Sequence, residues 1–195
     1  TNEPVGAPPA GVPISQVHWF WKSRPELDRP DTQPLCFSVP MVTDTMKPED
    51  IPADGFTMFA ALVTPKSRGT FKLSSADSHA ATLQDPQILT HPDDIATLIA
   101  SVKQVREVGK QAALAEEWGA TEAAMSADLQ TDEQIEFWCR NNAITYHHQV
   151  GTAKMGTDPM AVVSPTSLEV HGLEGVRVVD ASVMPTVTNG NTNAP

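Results

Sequence analysis

Ile95, Leu98, Ile99, Val102 and Val105 recur at the three-and-four spacing of one helix face, a period no strand can satisfy because strand side chains change sides at every residue. Pro92 suits the first helical position, where its missing N–H costs nothing. Asp93 and Asp94 meet the positive end of the helix dipole, and Lys103, Arg106 and Lys110 lie toward the negative end. The spacing predicts a helix over about 92–110. A second helix is predicted to begin after Thr131, which forms a Thr-x-x-Gln capping box with Gln134, to bury Ile135 and Trp138, and to end near Asn141 and Asn142.

Residues before position 92 follow a different period. His18–Trp21, Pro34–Val39 and Phe56–Val63 are short apolar or aromatic runs between Pro, Asp and Ser clusters, and Gly69–Leu73 follows the turn-prone Pro65-Lys66-Ser67-Arg68. Four strands are expected there. After the second helix come the glycine-punctuated stretch HHQVGTAKMG, a short strand at Leu168–Val170 and the β-branched run Val176–Val179. The last run reads as a strand buried on both faces, as in parallel sheets flanked by helices. The expected fold class is α+β. Residues 1–143, opening with a loop over 1–16, form a mixed or antiparallel sheet with helices on one face, and residues 144–195 complete a separate α/β domain.

The formal net charge of −11 and pI near 4.8 argue against nucleic acid or an anionic membrane as partner, since both repel an acidic surface. No run approaches the roughly 20 apolar residues of a transmembrane helix, and Thr1–Gly11 lacks the basic and apolar regions of a signal peptide. The Pro- and Gly-rich opening has no initiator Met, so the native start is expected upstream. Cys36 and Cys139 form no C-x-x-C pair, which gives no thiolate metal site and points to a reducing, cytoplasmic compartment.

Two clusters carry side chains suited to chemistry. His148 precedes Gly151 and Thr152, and Asn189, Asn191 and Asn193 crowd a turn-forming segment soon after Asp180. An imidazole can take a proton, and a carboxamide can hold an oxygen without titrating. Plainer readings stand beside these. His147 and His148 could be a surface pair or an adventitious metal site, the asparagines turn residues, and Asp180 a strand-end acid. Trp19, Trp21, Trp118 and Trp138 read as core, with Trp19 or Trp21 able to wall the substrate cavity.

The motifs in order are Pro65-Lys66-Ser67-Arg68-Gly69-Thr70 with Ser75-Ala76-Asp77, His148-x-x-Gly-Thr with Lys154-Met155-Gly156, Val170-His171-Gly172 through Asp180-Ala181-Ser182-Val183-Met184-Pro185, and Gly190-Asn191-Thr192-Asn193-Ala194-Pro195. From about Trp19 onward the chain resembles the C-terminal portion of glucose-methanol-choline oxidoreductases, of the choline-dehydrogenase-like kind.

The resemblance implies FAD as cofactor, a small alcohol as substrate, and oxygen or a quinone- or dye-type molecule as final electron acceptor. It makes 1–143 the substrate-binding domain and 144–195 the segment returning to the FAD-binding domain. His148 falls on the family's catalytic base and Asn191 on its second active-site position. Asp180 and Ala181 would lie against the ribityl-phosphate portion of FAD, and Asn191 and Thr192 would have backbone near the flavin. Two departures stand out. Residue 147 is His where the family has an aromatic residue, so two imidazoles compete for the base role. None of the eleven glycines is spaced as the dinucleotide fingerprint Gly-x-Gly-x-x-Gly, so the FAD-binding portion is expected N-terminal to this chain, and the chain by itself is expected neither to hold FAD tightly nor to turn over. A family member that keeps the fold as a binding or scaffold domain without redox chemistry is the alternative.

Overall fold

The predicted first helix is Pro92–Gly109 (α1) in the computed structural model, which describes residues 13–195 except 42, 44, 45, 48, 50 and 53. Its buried residues are Ile95, Leu98 and Val105 together with Asp94, Thr97 and Ser101, whereas Ile99 and Val102 are half-buried. The inward face is therefore rotated from the apolar stripe toward a polar one. Hydrogen bonding makes that tolerable: Thr97 Oγ1 donates to Asp31 Oδ2 at 3.3 Å, and Asp31 also accepts from the backbone N–H of Ser23 at 2.8 Å and from its hydroxyl at 2.5 Å.

After α1 come two single-turn helices, Ala112–Ala115 (α2) and Ala124–Ala127 (α3), then Asp132–Asn142 (α4). The α4 capping box forms as read. Thr131 Oγ1 accepts from the N–H of Gln134 at 3.3 Å, and Gln134 Oε1 accepts from the N–H of Thr131 at 2.9 Å. Ile135 and Cys139, one turn apart, are buried on the helix, which packs on α1, and Trp138 is half-buried. Arg106 ties α1 to the α3 region by donating to Glu122 Oε1 at 2.8 Å, to the carbonyl of Leu129 at 2.8 Å and to that of Ser126.

The sheet beside α1 has three antiparallel strands in the order Ser15–His18 (β1), Leu35–Phe37 (β2), Thr57–Phe59 (β3). Leu35 pairs with Phe59 and Phe37 with Thr57, so the rings of Phe37 and Phe59 meet diagonally, edge to face, 5.4 Å apart. The first strand starts before the expected His18–Trp21. Beyond His18 the pairing thins to a Trp19–Pro34 backbone bond and a Trp21–Thr32 bridge. Trp19 anchors this edge to α1, its indole N–H donating to Gln104 Oε1 at 3.0 Å. The expected loop over 1–16 lies outside the described residues as far as residue 12, and Ser15 is already in β1. Trp118, read as core, is 83% exposed on the connection between α2 and α3.

The described residues fall into two compact units: those up to Leu62 with Pro92–Ile144, and Val63–His91 with Thr145–Pro195. The segment 63–91 thus groups with the C-terminal residues rather than with those around it in sequence. In the second unit Thr70–Lys72 (β4) and Leu83–Asp85 (β5) form an antiparallel hairpin whose residues are exposed; β5 was not foreseen. Val163, fully buried, bridges to Met155 on one side and to Val170 on the other.

The run Val176–Val179 departs from expectation. It is not a strand buried on both faces: it is held by one antiparallel bridge, Arg177 to Glu169, and Val176 and Val179 are 46% and 73% exposed. Two-sided burial needs a pairing strand and a covering layer, and among the described residues neither is present. Mixed α/β content with antiparallel sheets is as expected. No helix among the described residues is long and apolar enough to cross a membrane.

Candidate active site

The stretch 145–156 is shaped by its small and polar residues. Thr145 Oγ1 accepts from the backbone N–H of His147 at 3.0 Å and from the side-chain amide of Gln149 at 2.6 Å, which tightens a turn over 145–149. His147 sits at φ +61°, in the left-handed region. The backbone bends there between Tyr146 and His148, whose rings lie edge to face, with centroids 5.3 Å apart and planes at 80°. His147 is exposed and His148 half-buried. The two imidazoles therefore occupy different surroundings.

Gly151 follows at φ +88°, and a Cβ there would come 3.4 Å from the carbonyl oxygen of Met184. Its left-handed backbone directs the chain under 182–184, where Ala153 donates to the carbonyl of Ser182 at 3.0 Å and Met155 to that of Val183 at 2.8 Å. Asp180 starts this returning segment by capping a short 3-10 helix, Ala181–Val183, with Oδ1 2.8 Å from the N–H of Ser182. That hydrogen bonding to Ser182 holds the Asp180 carboxyl below its ordinary range. Asp180 is exposed and Ala181 half-buried.

The third piece is the turn at 188–193. Thr188 Oγ1 donates to the carbonyl of Gly190 at 2.9 Å, and the turn carries Thr192 to His148, its hydroxyl 3.3 Å from Nδ1 across 44 positions of sequence. The residue beside Asn191 thus touches the imidazole paired with Asn191 in the sequence reading. The Asn191 side chain is exposed and makes no hydrogen bond to a described residue. Space around Gly190 is open: a Cβ added there would meet nothing within 4 Å.

Two contacts of His148 escaped the sequence. Tyr146 carried no signal because its approach depends on the backbone angle of residue 147. Thr192 was expected to contribute backbone near a cofactor, not a hydroxyl at the imidazole. Burial pushes the Tyr146 phenol above its ordinary pKa, so it stays protonated through neutral pH. A shallow cavity of about 510 Å³ is lined by Phe20, Trp21, Lys22, Ser23, Pro25 and Pro30, and His148 and Asn191 take no part in it. Among the described residues no three His, Cys, Asp or Glu side chains are grouped to hold a metal.

Residues 65–195 match the family model described as GMC oxidoreductase. The chain is 39% identical over 182 residues to an alcohol dehydrogenase [acceptor] from Pseudomonas putida, covering 93% of this chain and 32% of that protein. It is 37% identical over 179 residues to an oxygen-dependent choline dehydrogenase from Cronobacter sakazakii, covering 90% and 31%. Among solved structures it resembles pyridoxine 4-oxidase from Mesorbium loti, with a TM-score of 0.75, 25% identity, and coverage of 91% of this chain and 35% of that one. The chain spans about a third of the length of the curated relatives it matches.

Proposed function

Because this chain belongs to the glucose-methanol-choline oxidoreductase family, we propose that it carries the substrate side of an FAD-dependent alcohol oxidoreductase, with His148 as base and Asn191 as the group that holds the alcohol oxygen. The observation that carries this reading is the meeting of His148 with the 188–193 turn, made by the 3.3 Å contact to Thr192.

The chain's own residues fit the cofactor where the 188–193 turn leaves the backbone at Gly190 unobstructed, as a flat ring would require. Asp180 and Ala181, with the backbone of Asn191 and Thr192, would hold it. FAD, when bound, supplies at flavin N5 the acceptor for a hydride. His148 takes the hydroxyl proton of a primary or secondary alcohol as the carbinol C–H bond breaks, and the C–O bond becomes a carbonyl. Asn191 donates its amide N–H to the oxygen as negative charge gathers on it, without itself titrating. The half-buried ring of His148 suits proton transfer away from bulk water, and exposed His147, turned off by its left-handed backbone, is left out of the step.

Three wider parts belong to the same proposal. The Gly-x-Gly-x-x-Gly half of the FAD site lies outside these 195 residues, which residues 144–195 rejoin. Electrons leave to oxygen or to a quinone- or dye-type acceptor. The setting is cytoplasmic, in keeping with the free thiols of Cys36 and Cys139.

The test is His148→Ala in FAD-loaded protein, mixed anaerobically with an alcohol panel while flavin bleaching is followed. Loss of the base should slow bleaching by about 10²–10⁴-fold with FAD still bound, and His147→Ala should leave it within a fewfold of wild type. Unchanged bleaching in His148→Ala overturns the assignment.

A further inference from the structure

A base that works through one ring nitrogen must have its other nitrogen accounted for. Nδ1 of His148 has one polar partner among the described residues, the hydroxyl of Thr192 at 3.3 Å. We propose that Thr192 is a positioning residue for His148: its Oγ1 accepts a hydrogen bond from Nδ1–H, which fixes the neutral imidazole in the tautomer that leaves Nε2 unprotonated and basic. This rests on the reading of His148 as base, and it adds which nitrogen takes the proton and what selects it.

Three features of the site support it. A hydroxyl can accept from one group while its own hydrogen points elsewhere, so it can serve as the acceptor that Nδ1–H needs. Thr is β-branched and stiff at χ1, and Thr188, bonded to the carbonyl of Gly190 at 2.9 Å, tightens the turn just before it, so the acceptor is held rather than swinging. The opposite side of the constraint is the edge-to-face contact with Tyr146 at 5.3 Å, which opposes a ring flip that would exchange Nδ1 and Nε2. After proton uptake the imidazolium keeps Nδ1–H, so the bond to Thr192 persists through the step and no rearrangement accompanies it. One turn then supplies both halves of the alcohol site: Asn191 for the oxygen, Thr192 for the orientation of the base.

The experiment reads the tautomer directly. In protein with ¹⁵N-labelled histidine, two-bond ¹⁵N–¹H correlations above the imidazole pKa should show Nδ1 of His148 protonated and Nε2 unprotonated. Thr192→Val, which keeps shape and drops the hydroxyl, should move His148 toward the Nε2–H form, and Thr192→Ala should do the same. Thr192→Ser should restore the wild-type pattern. In FAD-loaded protein, Thr192→Val should slow flavin bleaching by alcohol about tenfold, as expected for one lost hydrogen bond, with Thr192→Ser recovering most of it. A wild-type His148 in the Nε2–H form, or one whose tautomer is the same in Thr192→Val, overturns the proposal. That failure is separable from failure of the base assignment, which appears only as unchanged bleaching in His148→Ala.

Discussion

At the scale of single residues, two glycines are required by different parts of the second unit. Gly69, inside the Pro-Lys-Ser-Arg-Gly-Thr motif, leads into β4 with no room beside it: a Cβ would lie 2.2 Å from the carbonyl oxygen of Asp85 and 2.6 Å from Cα of Pro86. Backbone cannot retreat as a side chain can. Gly69→Ala should therefore destabilise the hairpin by roughly 2–3 kcal/mol, in the range of overpacking, and urea titration of the variant checks it. Gly151 is constrained by angle rather than space, since φ +88° is strained for any residue with a Cβ. Gly151→Ala should cost about 1–2 kcal/mol and should weaken the Ala153–Ser182 bond, read as faster amide exchange at Ala153. A third residue runs the other way. Ser101 Oγ is fully buried on α1 with no hydrogen-bond partner among the described residues, and an unmade buried bond is costly, so Ser101→Ala should leave stability unchanged or raise it by about 1 kcal/mol.

At the scale of elements, what could be read from the chain was what is local. The α4 cap is complete in four consecutive residues, Thr131 to Gln134, and both reciprocal bonds form. α1 was legible for the same reason, although its inward face was not: the pull of Asp31 on Thr97 comes from 66 positions away. The candidate site was legible in its residue types and chain order but not in its contacts. The φ of His147 and the reach of Thr192 across the chain leave no mark on spacing, and the apolar run at 176–179 says that burial is wanted without saying what provides it. The cap and the α1–α4 packing make one further prediction testable by pH. Burial pushes the Cys139 thiol from 9.0 up to about 11. Its neutral form is favoured in the fold, so that contribution is intact below pH 9 and is lost as pH rises from 9 toward 11. The shift corresponds to on the order of 2 kcal/mol. Wild-type stability should fall over that window more steeply than that of Cys139→Ala, and denaturant midpoints at pH 8, 9 and 10.5 would show whether the two slopes differ.

At the scale of the whole molecule, apolar burial is unevenly divided. Ala61, Ile95, Leu98, Val105, Ile135 and Cys139 are buried in the first unit, against Val63, Leu89 and Val163 in the second. The second unit relies more on single bridges and turns, and it leaves Phe71, Leu73, Leu83, Val176 and Val179 exposed. Local stability follows burial and cooperative hydrogen bonding, so the residues proposed to act on substrate stand on the less stable of the two frameworks. Native-state hydrogen exchange should show this as a step: the α1 and α4 amides protected most, and those of 153–178 exchanging at least tenfold faster. A tenfold ratio corresponds to about 1.4 kcal/mol of opening free energy. Thr131→Ala should lower protection in α1 and α4 by about 1 kcal/mol, the worth of a lost cap, while leaving 153–178 unchanged if the units open separately. Equal protection across both sets of amides, or a parallel loss in both on removing the cap, would mean that the chain opens as one body and that the site shares the stability of the helical unit.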